Sequence, residues 1–85
     1  MDEEVVKYIN RSTYRVRTLK AIDNKVKMPK DIAKDSGILQ NHISNVLREL
    51  KDKNVVECLN PNRRKGRLYR LTDDGLEILD NLKDD

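Results

Sequence analysis

One stretch of the sequence places side chains that can read base-pair edges on a single helical face. Between Gln40 and Lys53, apolar residues recur at i, i+3, i+4 and i+7, which predicts an amphipathic helix. The apolar residues are Ile43, Val46, Leu47 and Leu50, and the opposite arc carries Asn41, Ser44, Asn45, Arg48 and Asp52. Asn and Arg can make paired hydrogen bonds with adenine and guanine, and Ser can bind a base or a phosphate. This face is a candidate DNA-reading surface; the alternative is an ordinary solvated helix face.

The first turn of this predicted helix adds Gln40 and His42 to the same candidate site. Gln40 and Asn41 are expected to make the first-turn contacts with DNA. His42 lies on the flank of the helix. His42 either contacts a phosphate or is an ordinary surface histidine without a role in binding.

A second candidate site is a basic loop. Residues 63–70 hold five basic residues and no acid, and four of them lie at a loop tip, namely Arg63, Arg64, Lys65 and Arg67. The loop, residues 60–67, separates two strand-like runs at 55–59 and 68–71, which predicts a hairpin with a long loop. An Arg at such a tip can contact the DNA backbone or enter the minor groove. The alternative is a solubilising loop.

Charge is unevenly distributed along the chain. Residues 11–30 carry seven basic residues against one acid, whereas residues 72–85 carry six acids against one lysine. Arg11, Arg15 and Arg17 oppose the dipole of the helix they begin, a cost that nearby phosphates would offset. The net charge is only +3, but its distribution predicts a molecule that turns one side toward a polyanion.

The composition limits the class of protein. Charged residues make up 39% of the 85 residues, yet the apolar residues are regularly spaced, so we expect one folded domain over residues 1–85 with a highly charged surface. Three tyrosines are the only aromatic residues, too few for the stacking platforms of single-stranded nucleic-acid binders. Cys58 is the single cysteine, which fits a reducing compartment. No membrane-spanning or signal-peptide pattern is seen, so a cytoplasmic location is expected.

The same residues argue against catalysis and metal binding. No Gly-rich phosphate loop, pair of inward carboxylates or nucleophile–base arrangement is visible. One Cys and one His on different elements cannot form a tetrahedral zinc site. We expect neither an enzyme nor a bound cofactor or metal.

The elements that must position these side chains are indicated by local signals. The predicted order is helix, helix, short helix, tight turn, helix, hairpin, helix. The signals are Ser12 and Thr72 as N-caps, Pro29 in a first turn, and Gly37 and Asn54 at positive φ. The helix that Ser12 caps is expected to end near Asn24. In the hairpin, Cys58 is expected to be a small buried hydrophobe and Tyr69 to pack in the strand layer.

The ordered set of motifs resembles the winged helix-turn-helix regulators of the MarR and ArsR type, particularly small archaeal ones. The likeness runs from about Val5 to Leu82. It is carried by residues 12–15 leading into Leu19, 29–33, Gly37-Ile38, 42–50, 55–59 and 65–75. The resemblance implies an α+β, mostly α fold: a winged helix-turn-helix with a two-stranded basic β-hairpin wing and flanking N- and C-terminal helices.

The sequence departs from this family pattern at two positions and also lacks the metal ligands of the ArsR type. Met28 and Leu39 stand where members often carry Ser or Thr caps. Metal sensing of the ArsR type needs clustered ligands, which this chain lacks, so that activity is not expected here.

Together these features predict a homodimeric transcriptional regulator that binds double-stranded DNA. The apolar stripe of the last helix is wider than one core contact needs, so Ile78 and Leu82 are expected to be left over from the core. With Val5 and Ile9 of the first helix, they are the predicted dimer contacts. The alternatives are a monomer in which the two terminal helices pack together, and a winged-helix protein–protein interaction module that docks on an acidic partner.

Overall fold

A computed structural model of the protein describes residues 2–83, which fold into helices and one antiparallel pair of strands. The elements are α1 (Glu3–Asn10), α2 (Thr13–Ile22), α3 (Pro29–Ser36), α4 (Gln40–Asp52), β1 (Val56–Cys58), β2 (Tyr69–Leu71) and α5 (Asp73–Lys83). This is the predicted order. The α2 helix ends at Ile22 rather than near Asn24, because Asp23 takes a positive φ of 54° and leaves the helical path.

The predicted helix boundaries follow from cap chemistry that the structure confirms. Ser12 Oγ accepts a hydrogen bond from Arg15 N at 3.4 Å, and Pro29 lies at the start of α3. Gly37 and Asn54 take positive φ of 73° and 61° at the ends of α3 and α4, the conformation that Gly and Asn tolerate best.

The two strands form a hairpin that a third segment extends. Val56 faces Leu71 and Cys58 faces Tyr69 in the antiparallel register. Lys27, in the loop between α2 and α3, pairs with Tyr69 through two backbone hydrogen bonds of 3.0 and 2.9 Å. Periodicity did not predict this bridge, which fixes the base of the hairpin against the helical layer.

The core lies between the helices and the inner face of the hairpin. All five helices and both strands contribute to it, with Leu19, Ile32, Ile43, Leu50 and Val55 among the side chains that no solvent reaches. Tyr69 is 9% exposed, which confirms its packing role, and the half-buried Cys58 packs against the same cluster. Among residues 2–83, no helix combines the length and the apolar character needed to cross a bilayer.

The prediction that Ile78 and Leu82 are left over from the core is wrong. Ile78 is 2% exposed and Leu82 is 7% exposed, and Ile9 of α1 is fully buried. These three side chains fill the core of a single chain, because in so small a domain α1 and α5 must both cover it. Val5 and Leu76 are half-buried at its edge, so they retain the accessible surface that Ile9, Ile78 and Leu82 lack.

A tight junction links the hairpin to α5. Thr72 N donates to Val55 O at 3.0 Å, and Thr72 Oγ1 donates to Asn54 O at 2.7 Å. The same hydroxyl accepts from Gly75 N at 3.0 Å, which confirms Thr72 as the cap of α5. A Cβ on Gly75 would lie 2.2 Å from Val55 O, so only glycine allows this approach.

Arg15 and Arg17 were expected to lie near the phosphates of bound DNA. In the structure, both side chains connect helices of the domain. Arg15 donates to Tyr8 O at 2.7 Å and to Glu49 Oε2 at 3.4 Å, and its guanidinium carbon lies 3.6 Å from the centroid of the Tyr8 ring. Arg17 donates twice to Ser36 O, at 3.1 and 2.6 Å. Arg15 therefore ties α1 and α2 to α4, and Arg17 closes the end of α3.

Candidate nucleic-acid interface

The start of α4 is set by the turn that joins it to α3. Gly37 reverses the chain in the left-handed conformation, and Ile38 is 3% exposed, so the turn is anchored in the core. Arg17 covers the same turn, since a Cβ on Gly37 would lie 3.0 Å from its Nη2. The first turn of α4 is thereby held at the surface in a fixed orientation.

The outer face of α4 is polar and open to solvent, as its periodicity predicts. The exposed side chains are Gln40, Asn41, His42, Ser44, Asn45, Arg48, Lys51 and Asp52. Ser44 Oγ donates to Gln40 O at 3.2 Å within the helix. His42 lies on the flank, where its ring centroid is 5.6 Å from that of Tyr14 on α2. The amide and guanidinium groups of this face are available to an external partner.

The loop of residues 60–67, which we call the wing, is closed by one asparagine. Asn60 Oδ1 accepts from Leu68 N at 2.8 Å, and Asn60 Nδ2 donates to Gly66 O at 3.0 Å. Within the tip, Arg67 Nε donates to Arg63 O at 2.6 Å. These bonds fold the loop on itself, so its basic residues are carried by a defined, solvent-exposed turn.

Replacing Asn60 by Ala should loosen the wing while the domain stays folded. Two hydrogen bonds between the Asn60 side chain and the backbone would be lost at a half-buried position, each worth about 1 kcal/mol net. The longer hydrogen bond of 3.7 Å from Cys58 Sγ to Asn60 Oδ1 would be lost with them. Amide hydrogen exchange should rise at Gly66–Leu68 and remain slow at Ile43–Leu50. Asn62→Ala, at an exposed position of the same loop, is the matched control. Unchanged exchange in Asn60→Ala would show that Asn60 does not hold the loop.

The wing and α4 enclose a strongly basic cleft. The cleft has a volume of about 600 Å³. Its lining residues are Pro29, Gln40, Ser44, Leu47, Arg48, Lys51, Arg64, Lys65, Gly66, Arg67 and Tyr69. Within the part of the chain that the structure describes, this lining contains no Asp or Glu. We call it the basic cleft, and its five cations make it a strong attractor of anions.

The structure brings together most, but not all, of the predicted site residues. Gln40, Ser44 and Arg48 line the basic cleft together with Arg64, Lys65 and Arg67. Asn41, His42 and Asn45 of the outer face of α4 are exposed but lie outside the cleft lining, and so does the exposed Arg63 of the wing. Lys51 also lines the basic cleft and was not predicted as a site residue. Its spacing of i+3 from Arg48 and i+7 from Ser44 places it on the same side of the helix.

Other surface charges are paired with one another away from the basic cleft. Arg70 Nε donates to Glu57 Oε1 at 2.8 Å, so this residue of the basic run faces a carboxylate of the neighbouring strand. A second cleft of about 600 Å³ includes Glu57, Asp73 and Asp74 in its lining. Among the described residues, the basic cleft is therefore separate from a second cleft whose lining holds more carboxylates than cations.

The carboxyl group of Asp35 has a shifted pKa. Lys27 Nζ donates to Asp35 Oδ2 at 2.6 Å, and this hydrogen bond holds the pKa of the Asp35 carboxyl below its ordinary value of 3.8. Because the pKa is lowered in the folded state, the pair stabilises the fold at neutral pH. That stabilisation is lost as the pH falls from the ordinary carboxyl pKa of 3.8 through the lowered pKa of Asp35. It joins α3 to the Lys27 segment and lies outside the lining of the basic cleft.

Metal binding finds no support in the described residues. Within residues 2–83, no three His, Cys, Asp or Glu side chains are grouped so that they could hold a metal ion.

Comparison with known proteins defines the fold. No family model and no curated protein sequence matches the chain. Among solved structures, TubR from Bacillus thuringiensis serovar israelensis, bound to 24 bp of tubC, is 15% identical, with a TM-score of 0.80 over 95% of this chain and 90% of that one. The homodimeric winged helix-turn-helix DNA-binding domain of Mb0332 from Mycobacterium bovis, a possible ArsR-family transcriptional regulator, is 22% identical, with a TM-score of 0.72 over 92% and 71% of the two chains.

A third structure, the MarR family transcriptional regulator SPO1453 from Silicibacter pomeroyi, is 21% identical, with a TM-score of 0.74 over 95% of this chain. The chain spans 60% of the length of SPO1453. These similarities, with the element order and the hairpin, show that the fold is a winged helix-turn-helix. The fold that the resemblance to MarR and ArsR regulators implied is therefore confirmed.

Proposed function

We propose that the protein is a cytoplasmic transcriptional regulator that binds duplex DNA through α4 and the wing. The basic cleft carries this proposal, since five cations converge between an exposed polar helix face and a closed basic loop. In the proposed complex, the N-terminal half of α4 enters the major groove, where the outer face can reach base edges. The wing then lies against the backbone or in the minor groove, where its cations offset phosphate charge.

The roles of individual side chains follow from their positions. Asn41, Asn45 and Arg48 are the base-reading candidates, because their amide and guanidinium groups are exposed on the outer face and can pair with adenine or guanine edges. Gln40, His42 and Ser44 are the candidates for contacts with bases or phosphates at the groove edge, because they are exposed on the same helix. Lys51, Arg64, Lys65 and Arg67 are the phosphate contacts, because they line the basic cleft between helix and wing.

The rival function is a winged-helix module that docks on an acidic protein. Winged helices used for protein contact tend to cover the recognition face or make it apolar. Here that face stays exposed and polar, with Asn41, Ser44, Asn45 and Arg48 all open to solvent. DNA-bound TubR supports the nucleic-acid alternative for this fold.

Selection of binding sites from a random duplex library, followed by fluorescence anisotropy at 50 and 200 mM salt, tests the proposed function. A DNA-binding regulator should enrich a defined motif and lose affinity steeply with salt, as expected when several phosphates are neutralised. A salt-dependent complex with a poly-glutamate peptide, without enrichment of any duplex, would favour the protein-docking module.

Removing three of the four wing cations should weaken binding by a similar factor on every duplex. The Arg63→Ala, Arg64→Ala and Lys65→Ala triple variant should reduce the log–log salt slope by about 0.9 for each lost phosphate contact. Arg64 and Lys65 line the basic cleft, so they should account for most of the change. Arg70→Ala removes a cation of the same hairpin that is paired with Glu57, and it should leave the slope unchanged. An unchanged slope in the triple variant would remove the wing from the interface.

We also propose that the regulator acts as a homodimer. The similar winged helix-turn-helix domain of Mb0332 is homodimeric. Ile9, Ile78 and Leu82 lie in the core. Val5, Val6 and Leu76 are half-buried aliphatic residues that keep accessible surface on α1 and α5. Sedimentation equilibrium at micromolar protein should give twice the chain mass of 10.0 kDa. Val5→Asp with Leu76→Asp should return the mass to one chain. A wild-type monomer that binds a half-site tightly would contradict the dimer.

A further inference from the structure

Leu39 is an apolar side chain exposed at the start of α4. It is 70% exposed, compared with 48% for Val26, 40% for Leu59 and 38% for Tyr14, the other large exposed hydrophobic residues within 2–83. Its neighbour Ile38 points into the core, whereas Gln40 is exposed. Leu39 therefore stands at the tip of the helix-turn-helix, at the end of α4 that the proposed function directs into the major groove.

The residue type at this position works against helix stability. Leu39 is the N-cap of α4: its carbonyl accepts from His42 N and Ile43 N, both at 3.0 Å, but its side chain makes no cap hydrogen bond. Ser, Thr, Asp or Asn at an N-cap would accept a hydrogen bond from a first-turn amide and stabilise the helix. Leucine here gives up that bond and exposes apolar surface, so the structure of the free domain gives no reason for it.

We propose that Leu39 contacts the C5-methyl group of a thymine in the major groove and so contributes to sequence preference. This inference rests on the proposed function, because it requires α4 to enter the groove. The thymine methyl is the apolar group that base edges present in the major groove, and the N-terminal residues of a recognition helix are those that reach base edges. Burial of the methyl against Leu39 removes both apolar surfaces from water, without any hydrogen bond.

Replacing thymine by uracil tests the contact, because uracil lacks only the methyl group. In a duplex taken from the selection experiment, each thymine is changed to uracil in turn, and the affinity of wild-type protein is measured. At one position the loss should be about fourfold, the factor that corresponds to about 0.8 kcal/mol for one buried methyl-sized group. Leu39→Ser should bind the thymine duplex more weakly and show no difference between thymine and uracil at that position.

Two controls separate recognition from folding. Leu39→Ser supplies a favourable N-cap, so its thermal midpoint should equal or exceed that of wild type. Val26→Ser removes an exposed apolar side chain that lines the second cleft instead, and it should keep the full response to uracil.

The outcomes distinguish this inference from the function on which it rests. If wild-type protein binds no duplex, the proposed function itself fails. If it binds a selected site but no thymine-to-uracil change weakens binding, or if Leu39→Ser shows the same uracil penalty as wild type, Leu39 does not read a thymine methyl.

Discussion

Gly75→Ala is expected to lower the free energy of unfolding by about 1–3 kcal/mol, the usual cost of forcing extra volume into a packed site. The new Cβ would lie 2.2 Å from Val55 O and 3.2 Å from Leu71 Cβ. Backbone atoms cannot turn aside as a flexible side chain can, so α5 must shift away from the hairpin. That shift would also strain the hydrogen bonds through which Thr72 joins Asn54 and Val55, just before β1, to α5.

Urea denaturation followed by circular dichroism measures this loss directly. For a domain of this size, each kcal/mol corresponds to roughly 4–8 °C in the thermal midpoint. Glu77→Ala is the matched control, since it places the same residue at an exposed position of α5, and it should change stability by less than about 0.5 kcal/mol. Equal stability of Gly75→Ala and wild type would mean that the close approach to Val55 is not maintained in solution.

Asn45→Ala and Arg48→Ala should each remove sequence preference while leaving the fold intact. Each good base contact discriminates by about 1–3 kcal/mol, which is about 5- to 150-fold in affinity. Both side chains are exposed on α4, so their truncation should cost little stability. The measurement compares affinity for the selected site with affinity for a scrambled duplex of the same composition.

Lys51→Ala provides the contrast for these two variants. Lys51 lines the basic cleft one helical turn beyond Arg48, so we expect it to contact phosphate and to weaken binding equally on both duplexes. If Asn45→Ala and Arg48→Ala also reduce both affinities by the same factor, they contact the backbone and not the bases.

The element order and most helix boundaries could be predicted from the sequence because they depend on local chemistry. Ser12 and Thr72 cap their helices through their own hydroxyl groups, and Gly37 and Asn54 take the positive φ that few other residues tolerate. The buried and exposed faces of α4 likewise follow from the spacing of Ile43 and its partners. Each of these features is settled within a few residues along the chain.

Features that depend on tertiary packing could not be predicted in the same way. Whether Ile78 and Leu82 face a core or a partner depends on where α1 lies, which their spacing does not determine. Arg15 and Arg17 were grouped with the DNA-facing charge, yet their partners Glu49 and Ser36 are 34 and 19 residues away in sequence. The pairing of Lys27 with Tyr69 is similarly distant, and no periodicity marks a single-residue bridge.

The candidate site also combines features set by local sequence with features set by tertiary packing. The polar face of α4 and the basic run of the wing are visible in the sequence, whereas their convergence on one cleft requires the hairpin to fold back against the helix. As a result, Lys51 lines the basic cleft, whereas Arg70 does not. The Arg70 guanidinium pairs instead with Glu57 across the strands. Counting charges along the chain could not separate these two cations.

The measurement that tests the central claim most directly is a titration of ¹⁵N-labelled protein with a short selected duplex, followed by amide chemical shifts. DNA binding through α4 and the wing predicts large shift changes at Gln40–Arg48 and at 60–67. The amides of Asp73, Asp74 and Glu77, on the acidic side of α5, should stay unchanged. Shifts concentrated on α5, or no shifts at a duplex concentration well above that of the protein, would contradict the claim.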